Sequence, residues 1–326
     1  METLTIYQLR NRADAHFEAV RQTEGIDKFC SSLDWTLPAY EAFISDHPLF
    51  LRQSEHGFVT LSGGFNPRIG RYLQPLEASW CLASPFACND PDALVEDFSS
   101  ELLEPAQAWD LVYLSGLPPS GPLFDAMIRT FGRRHRMGMG HETRRYTADI
   151  RDSLDAFLSR RSAKMRHNLR RSARRASEMG LEYEYLPNVE EREVERIYER
   201  ILAIEERSWK GRSGTGILDG GMNTFYRLML PRLARRKALR VLFGTLNGRD
   251  ISFVFGGLFD TTYRGLQVSF DDEYRDWALG NLMQMGMIER LASEGIERYD
   301  LGSELEYKSR WAEDVHVTTT LWLWRR

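Results

Sequence analysis

The sequence predicts an α/β protein with mixed, mostly antiparallel sheets flanked by helices, and three observations carry that prediction. Short β-like runs alternate with runs of helical periodicity along the 326 residues, a length that is long for one domain and comfortable for two. Between Arg264 and Gly302 the order strand, loop, helix, strand is legible: a β-like run to Phe270, a charged loop to Gly280, an amphipathic run over Asn281–Glu294 and a β-like run over Ile296–Leu301. A fainter copy of that ending, Trp109 to Gly116 with a helix before it, echoes Ile296 to Gly302.

Taken in order, the first expected helix spans Thr36 to Ile44, followed by β-like runs Leu49–Arg52, Gly57–Leu61 and Tyr72–Trp80, punctuated by Gly63-Gly64 and Asn66-Pro67. Asp90-Pro91 opens a helix to about Leu103 with a capping carboxylate and a proline at its first position. A buried strand over Trp109–Leu114, a helix over Ser120–Gly132 and a strand over Arg144–Ile150 come next. Ser153 to Met179 reads as one long helix, stopped by Gly180. After a strand over Leu181–Leu186, Val194, Ile197, Ile201 and Ile204 recur at helical steps. A Gly/Ser-rich loop, Lys210–Gly221, precedes a helix over Met222–Lys237. Strands follow over Ala238–Leu246, Ile251–Phe259 and Arg264–Phe270, the first two joined by the hairpin signal Asn247-Gly248. The chain closes on the alternating run Val315–Trp324.

The net charge of −4 makes no whole-protein case for nucleic-acid or membrane binding, so any electrostatic argument must be local. The first twenty residues carry acids and lack the apolar stretch of a signal peptide, and no run approaches the roughly 18 apolar residues of a membrane span. Cys30, Cys81 and Cys88 lack a metal-ligand pairing, and His135, His141, His167 and His316 are scattered. The expectation is a cytoplasmic protein with reduced thiols and no metal.

The rest of the chain is read around Phe270–Gly302. A small residue at the turn lets the backbone close on a ligand, and the helix start behind it aims unpaired N–H groups and positive dipole at an anion. The other reading of Gly280 is that it only starts the helix. Arg275, Ala278 and Gly280 stand at a spacing that resembles the pyrophosphate loop of the GNAT acyltransferases, Gln/Arg-x-x-Gly-x-Gly/Ala, with Ala278 where glycine is usual and Asp271, Asp272 and Asp276 adding negative charge. Together with Tyr299-Asp300-Leu301-Gly302 and Tyr307-Lys308-x-x-Trp311, the stretch resembles the catalytic half of the GNAT branch related to Fem-type peptidoglycan transferases and found with polysaccharide-biosynthesis genes, a CelD-like branch.

That resemblance implies two GNAT-like lobes, residues 1–150 and 151–326, the first degenerate: behind its counterpart of the phosphate loop, Ala87 to Pro91, lie Asp92, Glu96 and Asp97, which would repel a diphosphate. It implies an acyl-CoA co-substrate, acetyl-CoA foremost. In this fold the sheet splays after its central strand, so Val268, Ser269 and Phe270 would hold the donor together with Arg275, Ala278, Leu279, Gly280 and Asn281. The acceptor would be a small-molecule amine, an amino sugar or amino acid, with phosphorylated and nucleotide-linked acceptors included.

Acyl transfer from a thioester to an amine needs an unprotonated amine, a polarised carbonyl and a proton for the departing thiolate. Asp300, at a strand end beside the opening, is the first candidate for general base or amine orienter; its alternative role is to bond backbone N–H groups there. Lys308 and Tyr307 stand where the family has a Tyr/Phe-Lys pair, Lys308 to neutralise an acceptor anion or the developing oxyanion and Tyr307 to protonate the thiolate. Glu206 and Glu304 are further acid/base candidates. Ser208-Trp209-Lys210-Gly211 resembles a family run before a mobile loop and would set Trp209 and Lys210 near the acceptor; the plainer reading of Trp209 is a helix-end side chain over the core.

One local charge anomaly remains. Arg160, Arg161, Lys164, Arg166, Arg170, Arg171, Arg174 and Arg175 crowd into roughly five helical turns, without aromatics for base stacking. An ordinary solvated face is the general explanation. Its density in an acidic protein points to an anionic partner through residues 159–175: acceptor phosphate reached by Arg170 and Arg171, tRNA, or an anionic membrane surface. Two rivals to acyl-CoA-dependent transfer follow, a Fem-type aminoacyl-tRNA-dependent transferase and a non-catalytic binder of anionic ligands.

Overall fold

Asn247 and Gly248 both take left-handed backbone angles, φ 51° and 77°, and fold two strands back on each other, as the sequence predicts. In this computed structural model, which describes residues 1–104, 108–218 and 220–325, that hairpin belongs to the second of two units, residues 145–316; the first comprises residues 1–144 and 317–326. The sequence reading divided the chain once, after residue 150, whereas here the last strand carries the chain back into the first unit.

The first unit runs β1 (Glu2–Thr3), α1 (Ile6–Asn11), α2 (Ala13–Gln22), α3 (Lys28–Ser31), α4 (Leu33–Phe43), β2 (Leu49–Ser54), β3 (Gly57–Asn66), β4 (Gly70–Pro75), β5 (Phe86–Cys88), α5 (Pro91–Leu103), β6 (Leu111–Leu117) and α6 (Pro122–Arg134), then enters β7 (Arg136–Asp149). Its strands lie in the order β1-β2-β3-β4-β6, with β5 beside β3, all antiparallel except β4 with β6. The sequence reading named no helix before Thr36. α1 begins on a reciprocal cap, the Thr5 hydroxyl accepting from the Gln8 N–H and the Gln8 side chain from the Thr5 N–H, and α2 was hidden because it buries little beyond His16 and Val20. Gly63-Gly64 is not a break: β3 runs through it, and a Cβ on Gly64 would stand 2.3 Å from the Tyr72 ring across the pair. The run expected to reach Trp80 ends at Pro75, after which the buried Glu77 carboxylate accepts from the N–H groups of Trp80, Leu82 and Ala83 and holds an irregular segment.

The second unit continues with α7 (Leu154–Ser159), α8 (Ala163–Glu178), β8 (Leu181–Leu186), α9 (Val194–Arg207), α10 (Trp209–Ser213), α11 (Gly220–Arg235), β9 (Leu239–Leu246), β10 (Arg249–Phe259), β11 (Thr262–Phe270), α12 (Leu279–Ser293) and β12 (Arg298–Ser303), and leads into β13 (Asp314–Trp324). The strand order is β7-β12-β11-β10-β9-β8, antiparallel throughout except β11 with β12. The single helix expected over Ser153–Met179 is two, each with its own serine cap: Ser153 accepts from Ala156 N–H and Ser162 from Met165 N–H. The break turns Arg160 and Arg161 onto Glu313, both at 2.6 Å, and sets the Arg161 guanidinium over the Phe157 ring. Part of the loop expected over Lys210–Gly221 is the short α10, capped by Ser208.

The internal echo is structural. Each unit has one parallel pair, β4/β6 and β11/β12, with a helix before its second strand, α5 and α12. The glycines ending the two related stretches, Gly116 and Gly302, both have positive φ, 66° and 77°. Each lies where strand register slips, Gly302 in β12 against β7 and Gly116 in β6 against β13. The two units thus repeat one plan, as the sequence reading expects. In the first, Asp90 caps α5 by accepting from Ala93 N–H, so the helix start that corresponds to a phosphate cradle is closed by the chain's own carboxylate.

Gly302→Ala should lose about 1–2 kcal/mol by forcing a Cβ into the left-handed region. Gly116→Ala should lose more, because its Cβ would also stand 2.2 Å from the backbone of Ala83. Urea unfolding of the two variants measures the difference.

Candidate active site

β11 and β12 pair over only three positions, Thr262 with Arg298, Tyr263 with Tyr299 and Arg264 with Asp300, and then part. A bulge in the β10–β11 ladder between Phe255 and Gly256 lies beside that point, bending β11 away. The parting opens a cavity of about 630 Å³, walled by Leu266, Gln267, Val268 and Phe270 on β11, by Tyr299 and Leu301 on β12, by the first turns of α12, and by Trp209, Lys210, Tyr307, Lys308 and Trp311. No carboxylate is among its described lining residues.

The first turn of α12 is the part of this wall whose backbone suits an anion. Ala278 stands at its start with left-handed angles, φ 57° and ψ 34°, and no side chain caps the helix. Helix N–H groups are therefore left for a ligand to satisfy. Ala278, Gly280 and Asn281 line the cavity; a Cβ on Gly280 would meet only Phe270, at 3.5 Å, so the protein itself tolerates more bulk there. The acids that threatened this loop are largely neutralised from behind: Asp271 accepts from Arg207 (2.6 Å) and Arg249 (3.0 Å), and Asp272 pairs with Arg212 (3.0 Å). Of the expected donor contacts, Val268, Phe270, Ala278, Gly280 and Asn281 line the cavity, whereas Ser269 and Leu279 are buried away from it and Arg275 is exposed outside it.

Among the expected catalytic groups, Lys308 and Tyr307 line the cavity and Asp300, Glu206 and Glu304 do not. Lys308 Nζ donates to Ser303 O at 3.0 Å, and burial, helped by the nearby Arg264 and opposed by Asp300, pushes its pKa down to about 8. Tyr307 is 47% exposed, at the rim. Asp300 departs from the base expected of it, because its carboxylate is fully engaged. Oδ2 accepts from Arg145 and from Arg264 (3.0 Å), Oδ1 accepts from the Gly302 N–H (2.8 Å), and only 1% of the residue is exposed. Burial would raise its pKa, but the two arginines and the Gly302 N–H outweigh burial and hold it below the usual value. Asp300 positions the strands; it is not poised to take a proton. Glu206 faces solvent from α9, and Glu304 is exposed and accepts from the Tyr146 hydroxyl.

The acid buried on α9 is Glu205, one position and about 100° around the helix from the residue the sequence reading chose. Its Oε2 accepts from Ser208 Oγ (3.1 Å) and its Oε1 lies 3.7 Å from Lys210 Nζ. Lys210 in turn donates to Val268 O (3.0 Å) and Gln267 Oε1 (3.1 Å), so it occupies an acceptor on the freed edge of β11; burial lowers its pKa, partly offset by Glu205. Trp209, 56% exposed, stands at the cavity rim rather than over the core. Gln284, which accepts from the Tyr299 hydroxyl, was missed; its signal was the i+4 spacing from Gly280 along a mostly apolar helix. Arg170 and Arg171, on α8, do not line the cavity. Among the described residues no group of three or more His, Cys, Asp or Glu side chains could hold a metal ion.

Residues 163–309, which include nearly every element of this cavity, match the family described as an Acetyltransferase (GNAT) domain. Solved structures extend the likeness to the whole chain. A conserved protein of unknown function from Bacteroides thetaiotaomicron VPI-5482 aligns with a TM-score of 0.66 at 11% identity, covering 99% of each chain. FemX aligns with a TM-score of 0.65 at 12% identity, covering 98% of this chain and 97% of its own. The C-terminal domain of a putative lysylphosphatidylglycerol synthetase from Agrobacterium fabrum gives 0.55 at 17% identity, covering 94% and 92%. At these identities the likeness is one of fold. No protein of curated function matches the sequence.

Ala278→Gly should stabilise the protein by about 1 kcal/mol, since the left-handed backbone no longer carries a Cβ. Asp300→Asn should destabilise it by about 3–5 kcal/mol at neutral pH by removing the buried negative charge that Arg145 and Arg264 share. Because the native pKa of Asp300 is depressed, its stabilisation is present above the unfolded carboxylate value and lost as pH falls through the native one. Urea titrations should therefore show the gap between wild type and Asp300→Asn closing in acid.

Proposed function

We propose that this protein is an acyl-CoA-dependent N-acyltransferase acting on an amine acceptor in the cavity between β11 and β12. The observation that carries the reading is the parting of this parallel pair beside a helix start that no side chain caps. The residues present fit the donor: the α12 start, at Gly280, offers backbone N–H and positive dipole to a diphosphate, and the freed edge of β11 offers amide groups to an extended arm. When bound, the thioester supplies the acyl group. The family match over residues 163–309 agrees with transfer of this kind.

Within that reading, Lys308 is the proton-transfer residue. A pKa near 8 leaves a neutral fraction at physiological pH able to take a proton from the attacking ammonium or amine, and the resulting ammonium can return a proton to the departing thiolate. Tyr307 stands beside it at the rim as a second hydroxyl donor. Trp209 offers a flat surface to the acceptor, and the scarcity of carboxylates in the wall disfavours an acceptor held by its positive charge.

Acetyl-CoA at a hundred times its dissociation constant should stabilise the protein by about 2.7 kcal/mol, seen as a rise in Tm. Gly280→Val should keep the fold and weaken that binding about tenfold, since each hydrogen bond to a charged group contributes roughly 1.5–3 kcal/mol. Unchanged affinity in a folded Gly280→Val protein removes the cradle assignment, and absence of acyl-CoA binding in wild type turns the reading toward aminoacyl transfer or a non-catalytic role.

Lys308→Met should lower kcat while sparing the acyl-CoA Kd. In wild type, kcat/KM should rise with pH and level off above about 8, the value at which Lys308 loses its proton, and that limb should vanish in the variant. Steady-state rates across pH measure both.

A further inference from the structure

Apart from Arg160 and Arg161, which pair with Glu313, the basic segment lies on α8, and its exposed cations serve neither the cavity nor the unit's internal ion pairs. α8 buries Leu169 and Ala176, with Met165 and Ala173 half-buried, in the apolar clusters that also hold α12 residues. The opposite side carries Lys164, Arg170, Arg171, Arg174 and Arg175, all exposed. None of these cations has an ion-pair partner among the described residues, whereas Arg160, Arg161, Arg200, Arg207, Arg227, Arg240 and Arg249 of the same unit are each paired with an acid. The open surface among Arg166, His167, Arg170, Arg171, Arg174 and Arg175 contains one acid, Glu178.

We propose that this ridge docks the protein on an anionic phospholipid surface. A 16-residue helix presents an edge about 24 Å long, long enough to lie against an extended sheet of phosphates. Charge complementarity supplies the attraction, because each arginine near an anionic leaflet adds to it and Glu178 is the one acid among the residues lining this surface. An apolar side chain left exposed directly after the helix fits the same partner: Met179 is 45% exposed. The exposed residues of α8 include no Phe, Tyr or Trp on which a nucleotide base could stack, which sets RNA behind lipid. A chain with no helix among its described residues long and apolar enough to cross a bilayer would thus be held at its surface by charge.

The test is co-sedimentation of the full chain with vesicles of phosphatidylcholine alone and of equimolar phosphatidylcholine and phosphatidylglycerol. Wild type should sediment with the anionic vesicles only, and release as salt is raised. The variant Arg170→Gln/Arg171→Gln/Arg174→Gln/Arg175→Gln should bind them at least tenfold more weakly with its Tm unchanged, and the smaller variant Arg171→Gln/Arg175→Gln should fall between. Equal sedimentation with neutral vesicles, none with either, or full binding by both variants would overturn the proposal. So would a duplex RNA that displaces the protein from the vesicles at lower concentration than it binds them. Acyl-CoA affinity is read separately, and its presence or absence bears on the cavity and leaves the vesicle result to stand alone.

Discussion

Everything distinctive about the second unit depends on one buried carboxylate. Asp300 lies at the last paired position between β11 and β12, and it draws Arg264 from β11 and Arg145 from β7 onto a single oxygen while its other oxygen fixes the left-handed Gly302 through the backbone. Three strands are thereby pinned at the level where two of them separate. In a low-dielectric interior such a carboxylate is tolerable only because both its oxygens are satisfied, and removing it would leave two guanidinium groups buried without their shared partner. The same cluster tunes the chemistry nearby: Arg264 adds to the burial that depresses Lys308, and Asp300 works against it.

The cavity beyond this clamp combines features that usually conflict. An uncapped helix start, a freed strand edge and two part-buried lysines would each be costly if left dry. Their costs are reduced in place: Lys210 donates to the Val268 carbonyl and the Gln267 side chain, Lys308 donates to the Ser303 carbonyl, and Glu205 stands behind Lys210. Asp271 and Asp272, near the helix start, are turned onto arginines rather than toward the opening. What remains is a largely apolar hollow with positive groups on its walls, suited to an anionic, partly apolar ligand.

The first unit shows the same plan put to another use. Its parallel pair β4/β6, its preceding helix α5 and its left-handed Gly116 repeat the elements of the second unit, but Asp90 fills the helix start and the Cβ-free Gly116 lies against the Ala83 backbone. An aspartate stands there where the second unit has Ala278, and its carboxylate takes the Ala93 N–H and adds negative charge where a phosphate would sit.

Local order was written in the sequence, because it depends on neighbours in the chain. The hairpin at Asn247-Gly248, the α9 stripe from Val194 to Ile204, the cap at Asp90 and the strand–helix–strand run to Gly302 all follow from spacing and backbone preference. The residues that wall the cavity were legible where a motif named them: Val268, Ala278, Gly280, Tyr307 and Lys308. Other features could be settled only by tertiary structure, because each depends on what lies across space. Whether Asp300 was a base or a clamp turned on arginines 155 and 36 residues away, and whether Glu205 or Glu206 was buried turned on which side of α9 met the sheet. The break that pulls Arg160 and Arg161 onto Glu313 and leaves Arg170, Arg171, Arg174 and Arg175 outside depends on a carboxylate about a hundred and fifty residues downstream, a separation that no window of periodicity spans.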